Sequence, residues 1–147
     1  MTRVLPLLGS ALIAASFLCA CRSNDVDPAL PPDYVAIRPN QTVDTPVGLT
    51  VSADTVSVSI CPKYACCFAP NSAFVRLSIT NGAQARSVRL FTFIPNANRY
   101  NRSYEPSDSV STELGGQLYK VILRDGRYVP GPTNTSLAEA VIQVSRL

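Results

Sequence analysis

The feature that most constrains this fold is a series of short runs in which apolar and polar residues alternate. Val56, Val58 and Ile60 share one face of the run 55–60, and the run 73–79 repeats the pattern. Successive side chains of a strand point to opposite faces, so this alternation is typical of strands that are buried on one side. The chain is therefore expected to fold mainly as β-sheet.

The same pattern, rich in β-branched and aromatic residues, recurs along the chain. It predicts seven strands, at residues 34–37, 49–53, 55–60, 73–79, 87–94, 117–124 and 139–145. The pairs Asn81-Gly82 and Gly115-Gly116 mark turns, and Asp125-Gly126 predicts a tight hairpin. Pro130-Gly131-Pro132 then breaks the pattern.

Strands at this spacing predict an all-β domain at 34–147, an immunoglobulin-like β-sandwich of about seven strands. The chain contains no Trp, so the immunoglobulin cysteine–tryptophan–cysteine signature is absent, and a small β-barrel is the alternative. Only the run 136–144 is compatible with a helix, with Ser136 as N-cap and Glu139 at N3. Its β-branched second half favours a strand.

The N-terminus has the organisation of an export signal. Arg3 supplies a positive charge, and an uncharged apolar run extends from Val4 to Leu18. This run has the length of a signal-peptide core and is short for a transmembrane helix, which needs about 20 apolar residues. It ends in Leu18-Cys19-Ala20-Cys21, which resembles the lipobox of bacterial lipoproteins.

The lipobox resemblance implies cleavage after Ala20 and attachment of diacylglycerol and a further acyl chain to Cys21. An ordinary secretory signal with a chance cysteine is the alternative. Residues 1–20 are then the signal peptide, and residues 21–33, which are polar and rich in proline, form a tether. A lipid-anchored location in the cell envelope is expected, with the outer membrane preferred and the domain facing the periplasm or the cell surface.

Composition excludes several classes of site. The chain has no His, and its single Met is Met1, so catalytic triads with a His base, zinc sites with His ligands and blue-copper sites are excluded. The net charge of +3 gives no reason to expect nucleic acid as a partner. No cofactor is expected.

Three cysteines, Cys61, Cys66 and Cys67, remain in the expected mature chain. In an oxidising compartment Cys61 is expected to pair with Cys66 or Cys67 and to close a short loop. The third cysteine could be buried, could pair with another chain, or could form a vicinal Cys66–Cys67 link. A three-thiolate metal site and a disulfide-exchange site are the functional alternatives, but a fourth ligand and the usual two-residue spacing are missing.

Arginine and aromatic residues concentrate between Phe74 and Tyr104. The polar segment 96–104 is expected to be an exposed loop, and such residues are adaptable in binding. They mark a possible binding loop for a protein or a glycan, which contains Arg99, Tyr100, Arg102 and Tyr104. An ordinary polar connection is the alternative.

No catalytic arrangement stands out among the few carboxylates and the many serines. A glycosidase requires two carboxylates about 5–10 Å apart in a cleft, and no motif in the chain indicates such a pair. The expected protein is a non-enzymatic envelope lipoprotein whose β-sandwich serves protein interaction or a structural role. A glycan-binding module at the cell surface is the alternative.

Overall fold

The computed structural model describes residues 30–62, 64–94 and 108–147. These residues form eight strands and one short 3-10 turn at Pro132–Asn134. In chain order the strands are β1 (Tyr34–Ile37), β2 (Thr42–Asp44), β3 (Thr50–Ser59), β4 (Ser72–Thr80), β5 (Ala85–Phe93), β6 (Asp108–Leu114), β7 (Gln117–Pro130) and β8 (Ser136–Arg146).

The strands are divided between two antiparallel sheets of four strands. The first sheet has the order β1-β8-β7-β6, and the second has the order β2-β3-β4-β5. The two sheets pack face to face and do not close on each other, so the predicted β-sandwich is confirmed and the barrel alternative is wrong. Hairpins between consecutive strands build most of each sheet, and the chain passes between the sheets after β1 and after β5.

The core lies between the two sheets and follows the alternation of the sequence. The second sheet contributes Val51, Val75 and Leu77, each fully buried, and the first contributes Val121 and Ile142. Burying a side chain of this size contributes roughly 1.5–3 kcal/mol, so the inward positions account for much of the stability. The Tyr128 hydroxyl adds a polar link between the sheets by donating to the carbonyl of Val58 at 2.6 Å.

The predicted hairpin at Asp125-Gly126 is wrong, because β7 continues through both residues as a strand of 14 residues. The register shifts between Leu123 and Asp125, which marks a β-bulge at Arg124. Gly126 is buried, and a Cβ placed there would lie 2.4 Å from the Cβ of Ala73 in β4. Glycine is required at this position because the two sheets approach closely, and not because the chain reverses direction.

The chain reversal between β7 and β8 falls instead at Gly131–Thr135. The Gly131 N–H donates to the Thr135 carbonyl at 2.7 Å, and the Thr135 N–H donates to the Pro132 carbonyl at 3.3 Å. The run 136–144 is therefore strand throughout, and no part of it is helix.

Two further differences concern strand limits. The predicted strands 49–53 and 55–60 are one strand, β3, with a register irregularity at Asp54. The sequence pattern also missed β2, which has only three residues, and β6, which carries two Ser and one Thr; both lie at sheet edges.

The turns at Asn81-Gly82 and Gly115-Gly116 are confirmed. Gly82, Gly115 and Gly116 all have positive φ angles, which the tight turns require and which glycine adopts without steric strain. Within the described ranges no helix is long and apolar enough to cross a membrane.

Candidate interaction surface

Five of the predicted site residues lie outside the described part of the chain. These are the lipidation candidate Cys21 and the binding-loop candidates Arg99, Tyr100, Arg102 and Tyr104. The cysteine cluster is described except for Lys63, and it lies in the connection between β3 and β4, residues 60–71. This connection is called the β3–β4 loop below.

A disulfide links the start of the β3–β4 loop to its middle. Cys61 is bonded to Cys67, with their Cα atoms 5.9 Å apart, and Cys66 is an exposed free thiol. The expected pairing of Cys61 with one of the two neighbouring cysteines is confirmed. Because the bond spans only six residues, its entropic contribution to stability is about 2 kcal/mol.

Asn71 fixes the same loop to the sheet. Its side-chain oxygen accepts a hydrogen bond from the Cys61 N–H at 2.7 Å, and its carbonyl accepts one from the Ile94 N–H at 2.9 Å. Asn71 is buried, so these bonds are protected from water. The two ends of the loop and the end of β5 are thereby held together.

The β3–β4 loop exposes large apolar side chains between these fixed points. Phe68 is fully exposed, Tyr64 is 95% exposed, and Ile60 is 39% exposed. Pro62 and Pro70 flank the two rings. A short loop that contains a disulfide and keeps its rings in solvent has the chemistry of a contact site.

The outer face of the second sheet carries three more aromatic rings at the same end. Phe74 on β4 lies directly opposite Phe91 on β5, and Phe93 lies opposite Ser72, the first residue after the loop. Phe91 and Phe93 are each 46% exposed, and their rings meet edge to face at 86°, with centroids 5.1 Å apart. The β3–β4 loop and these three phenylalanines are called the aromatic end below.

The edge of the second sheet is held at this end by a carboxylate from the first sheet. The Phe91 N–H donates to Asp108 Oδ2 at 2.7 Å, across the gap between β5 and β6. Asp108 and Ile94 border the segment 95–107, which contains the predicted binding loop. The chain therefore enters and leaves that segment beside the aromatic end.

The first sheet carries a different, charged outer face. Glu139 is only 4% exposed, and Arg38 Nε lies 2.9 Å from its Oε2. Arg127 engages the other oxygen, Oε1, through Nε and a terminal nitrogen, each at 2.9 Å. Both carboxylate oxygens are thus held in ion pairs, which explains how the charge is tolerated in a buried position.

Asp125 is a further carboxylate of this face. Desolvation by burial raises its pKa, while the Gly126 N–H, which donates to Oδ1 at 2.8 Å, and the charge of Arg127 act in the opposite direction. Sequence reasoning assigned Asp125 to a turn and Glu139 to a possible helix cap, so it missed this network. The available signal was a single Glu within an apolar β-branched run, since such a residue needs a partner when it is buried.

The described residues contain no group of three or more His, Cys, Asp or Glu side chains that could hold a metal ion. Comparisons with protein-family models, with curated proteins and with solved structures find no match to this chain. The aromatic end is therefore interpreted from its own geometry.

Proposed function

We propose that this protein is a lipid-anchored lipoprotein of the cell envelope, and that its β-sandwich binds a partner protein through the aromatic end. The observation that carries the binding proposal is the exposure of Tyr64, Phe68, Phe91 and Phe93 at one end of the sandwich. Aromatic side chains provide most of the energy in many protein interfaces, and exposing them without a partner is unfavourable.

The geometry of the rings favours a protein over a glycan as the partner. A sugar stacks its flat apolar face on an open ring face, and a platform for an oligosaccharide needs rings that share one plane. Phe91 and Phe93 stand perpendicular to each other, so they form a ridge and not a platform. A ridge fits between the side chains of another protein.

The anchor proposal depends on the lipobox at Leu18–Cys21. Two or more acyl chains would hold the protein stably at a membrane, whereas one chain gives only marginal binding. Mass spectrometry of the N-terminal peptide should find a diacylglycerol thioether and an amide-linked acyl chain on Cys21. Cys21→Ala should remove the lipid, and membrane retention of a normally cleaved Cys21→Ala protein would contradict the anchor.

Site-specific photo-crosslinking in intact cells tests the binding proposal. A photoreactive phenylalanine analogue replaces Phe68 or Phe91 in separate strains, and the control strain carries it at Leu118. Leu118 is 44% exposed but lies near the Gly115-Gly116 turn, which is at the opposite end of the sandwich. The proposal predicts a discrete protein adduct from Phe68 and Phe91 and none from Leu118.

Two results would contradict the binding proposal. Equal adducts from all three positions would mean non-specific contact. Absence of protein adducts, together with binding of the purified chain to a polysaccharide, would make the protein a glycan-binding module.

A further inference from the structure

Two arginines face each other on the outer side of the second sheet. Arg76 on β4 is directly opposite Arg89 on β5, and both side chains are exposed. Side chains in directly opposite positions have Cβ atoms about 4.5–5.5 Å apart, and like charges there destabilise the sheet. A chain that keeps such a pair would gain from an anion that bridges the two guanidinium groups.

No carboxylate of the described residues bridges the two arginines. Asp54, exposed at the register irregularity of β3, is next to Thr55, the cross-strand partner of Arg76, yet no ion pair joins it to either arginine. Neither Arg76 nor Arg89 has an ion-pair or hydrogen-bond partner among the described residues. Asp44, at the far end of the same sheet, accepts a hydrogen bond from the Thr50 hydroxyl at 2.8 Å. Glu139 is held by arginines of the first sheet, on the opposite side of the sandwich.

The arginine pair borders the aromatic end. Phe74 and Phe91 form the next cross-strand pair on the same face, two residues along each strand. Two residues of strand span about 6.6 Å, so the arginine pair and the phenylalanine pair are about 6.6 Å apart along the strands. This is also the distance between side chains on the same face of an extended peptide. An anion alone would need the arginines but would gain nothing from the phenylalanines.

We propose that this face binds an acidic segment of a partner protein, in which a carboxylate bridges Arg76 and Arg89 while an apolar side chain two positions away packs on Phe91. The inference rests on the proposed function and adds the chemistry of the partner. Guanidinium groups bind carboxylates with charge-assisted and often bidentate hydrogen bonds. On the face that meets the sheet, the segment carries acidic and apolar side chains in turn, and it lies extended along β4 and β5.

Three synthetic peptides test the proposal against the full-length protein in mild detergent. Each is a labelled 12-residue peptide with Ser at every second position and with charged and apolar residues taking turns at the positions between. The three differ only in carrying Glu, Gln or Lys at the charged positions. Fluorescence anisotropy should show that the Glu peptide binds at least about tenfold more tightly than the Gln peptide. Its affinity should fall with added salt. Equal affinities for the Glu and Gln peptides, or no binding of the Glu peptide, would overturn the proposal.

Competition distinguishes a protein segment from other anions. Dextran sulfate and vesicles containing phosphatidylglycerol offer negative charge without the apolar side chain. The proposal predicts that each displaces the Glu peptide less effectively than an unlabelled copy of that peptide does at equal charge concentration. Stronger displacement by either one would assign the face to an anionic polysaccharide or to a lipid surface instead.

The variant Arg76→Glu separates binding from folding, because it replaces a repulsive cross-strand pair with an attractive one. It should raise Tm by roughly 1–5 °C while weakening the Glu peptide about tenfold. Arg146→Glu makes the same charge change on β8 of the first sheet and should leave peptide affinity unchanged. If Arg76→Glu bound the Glu peptide with unchanged affinity, the inference would be overturned. Protein adducts from Phe68 in the photo-crosslinking experiment would in that case still support the proposed function.

Discussion

Gly126 offers the sharpest test of how the two sheets pack. A Cβ at this position would lie 2.4 Å from the Cβ of Ala73 and 3.2 Å from Cγ2 of Val58. Both neighbours belong to the core of the second sheet, so neither can move far. Gly126→Ala should therefore lower the free energy of unfolding by about 1–3 kcal/mol through overpacking.

The complementary change at Ala73 should relieve the clash. Ala73→Gly alone removes a buried methyl group, about 0.8 kcal/mol, and places glycine inside a strand, about 0.5–1 kcal/mol. If the two sites were independent, the double variant would lose about 2–5 kcal/mol, the sum of the two effects. Relief of the contact instead predicts a loss of only about 1–2 kcal/mol, because the added methyl group occupies the space of the one removed.

Urea unfolding is measured for the native sequence, the two single variants and the double variant. Far-UV circular dichroism follows it, because the chain has no Trp to report by fluorescence. Gly82→Ala is the matched control. Gly82 has no atom within 4 Å of its Cβ position and a φ of +88°, so its cost comes from the backbone alone. In a double variant, the losses in free energy of unfolding from Gly82→Ala and Ala73→Gly should add within about 0.5 kcal/mol. If the losses from Gly126→Ala and Ala73→Gly were also additive, the close approach of β7 to β4 would be refuted.

Three further predictions concern the charged face and the disulfide. Glu139→Gln should lower the free energy of unfolding by about 1–3 kcal/mol, because two arginines lose their ionic partner, and a change below about 0.5 kcal/mol in urea unfolding would contradict the network. Burial raises the pKa of Asp125, so the native state holds its proton more tightly than the unfolded chain and stability falls as pH rises through the native pKa. Asp125→Asn should therefore be more stable than the native sequence at pH 7. Thermal melts of the two proteins between pH 7 and pH 4 should show this advantage shrinking, and the melting temperatures should converge below about pH 4. Cys61→Ser should lower the free energy of unfolding by about 2 kcal/mol, whereas Cys66→Ser should not change it measurably. Equal melting temperatures of the two variants would contradict this ranking.

The inward-facing strands could be predicted because their residues obey a simple period. Val75, Leu77 and Ile79 alternate with polar residues, and the structure buries all three. The edge strands β2 and β6 carry a weaker signal, because an edge strand is covered less completely and tolerates Ser and Thr. Their pairing depends on neighbours that are distant in the chain, which a local pattern does not contain.

The site was only partly predictable for a similar reason. Asp125-Gly126 has the composition of a hairpin turn, and only the position of Ala73 in the other sheet explains why glycine is required there within a strand. Phe91 and Phe93 lie in a run that is apolar on both faces, a pattern typical of a central strand, yet β5 is an edge strand and exposes both rings. The choice of Cys67 over Cys66 also depends on the path of the loop, which composition alone does not determine.

Quantitative recovery of a partner from the native envelope measures most directly whether the aromatic end binds a protein. Three tagged forms are compared after mild-detergent extraction: the native sequence, a double variant with Phe91→Ser and Phe93→Ser, and the control Leu118→Ser. Both altered rings are already half exposed, so the double variant is expected to fold, and its far-UV circular dichroism and melting temperature verify this. One stoichiometric partner protein is expected with the native and Leu118→Ser forms, and its recovery should fall at least tenfold, about 1.4 kcal/mol, with the double variant. Equal recovery from all three forms, or no partner from the native protein, would contradict it.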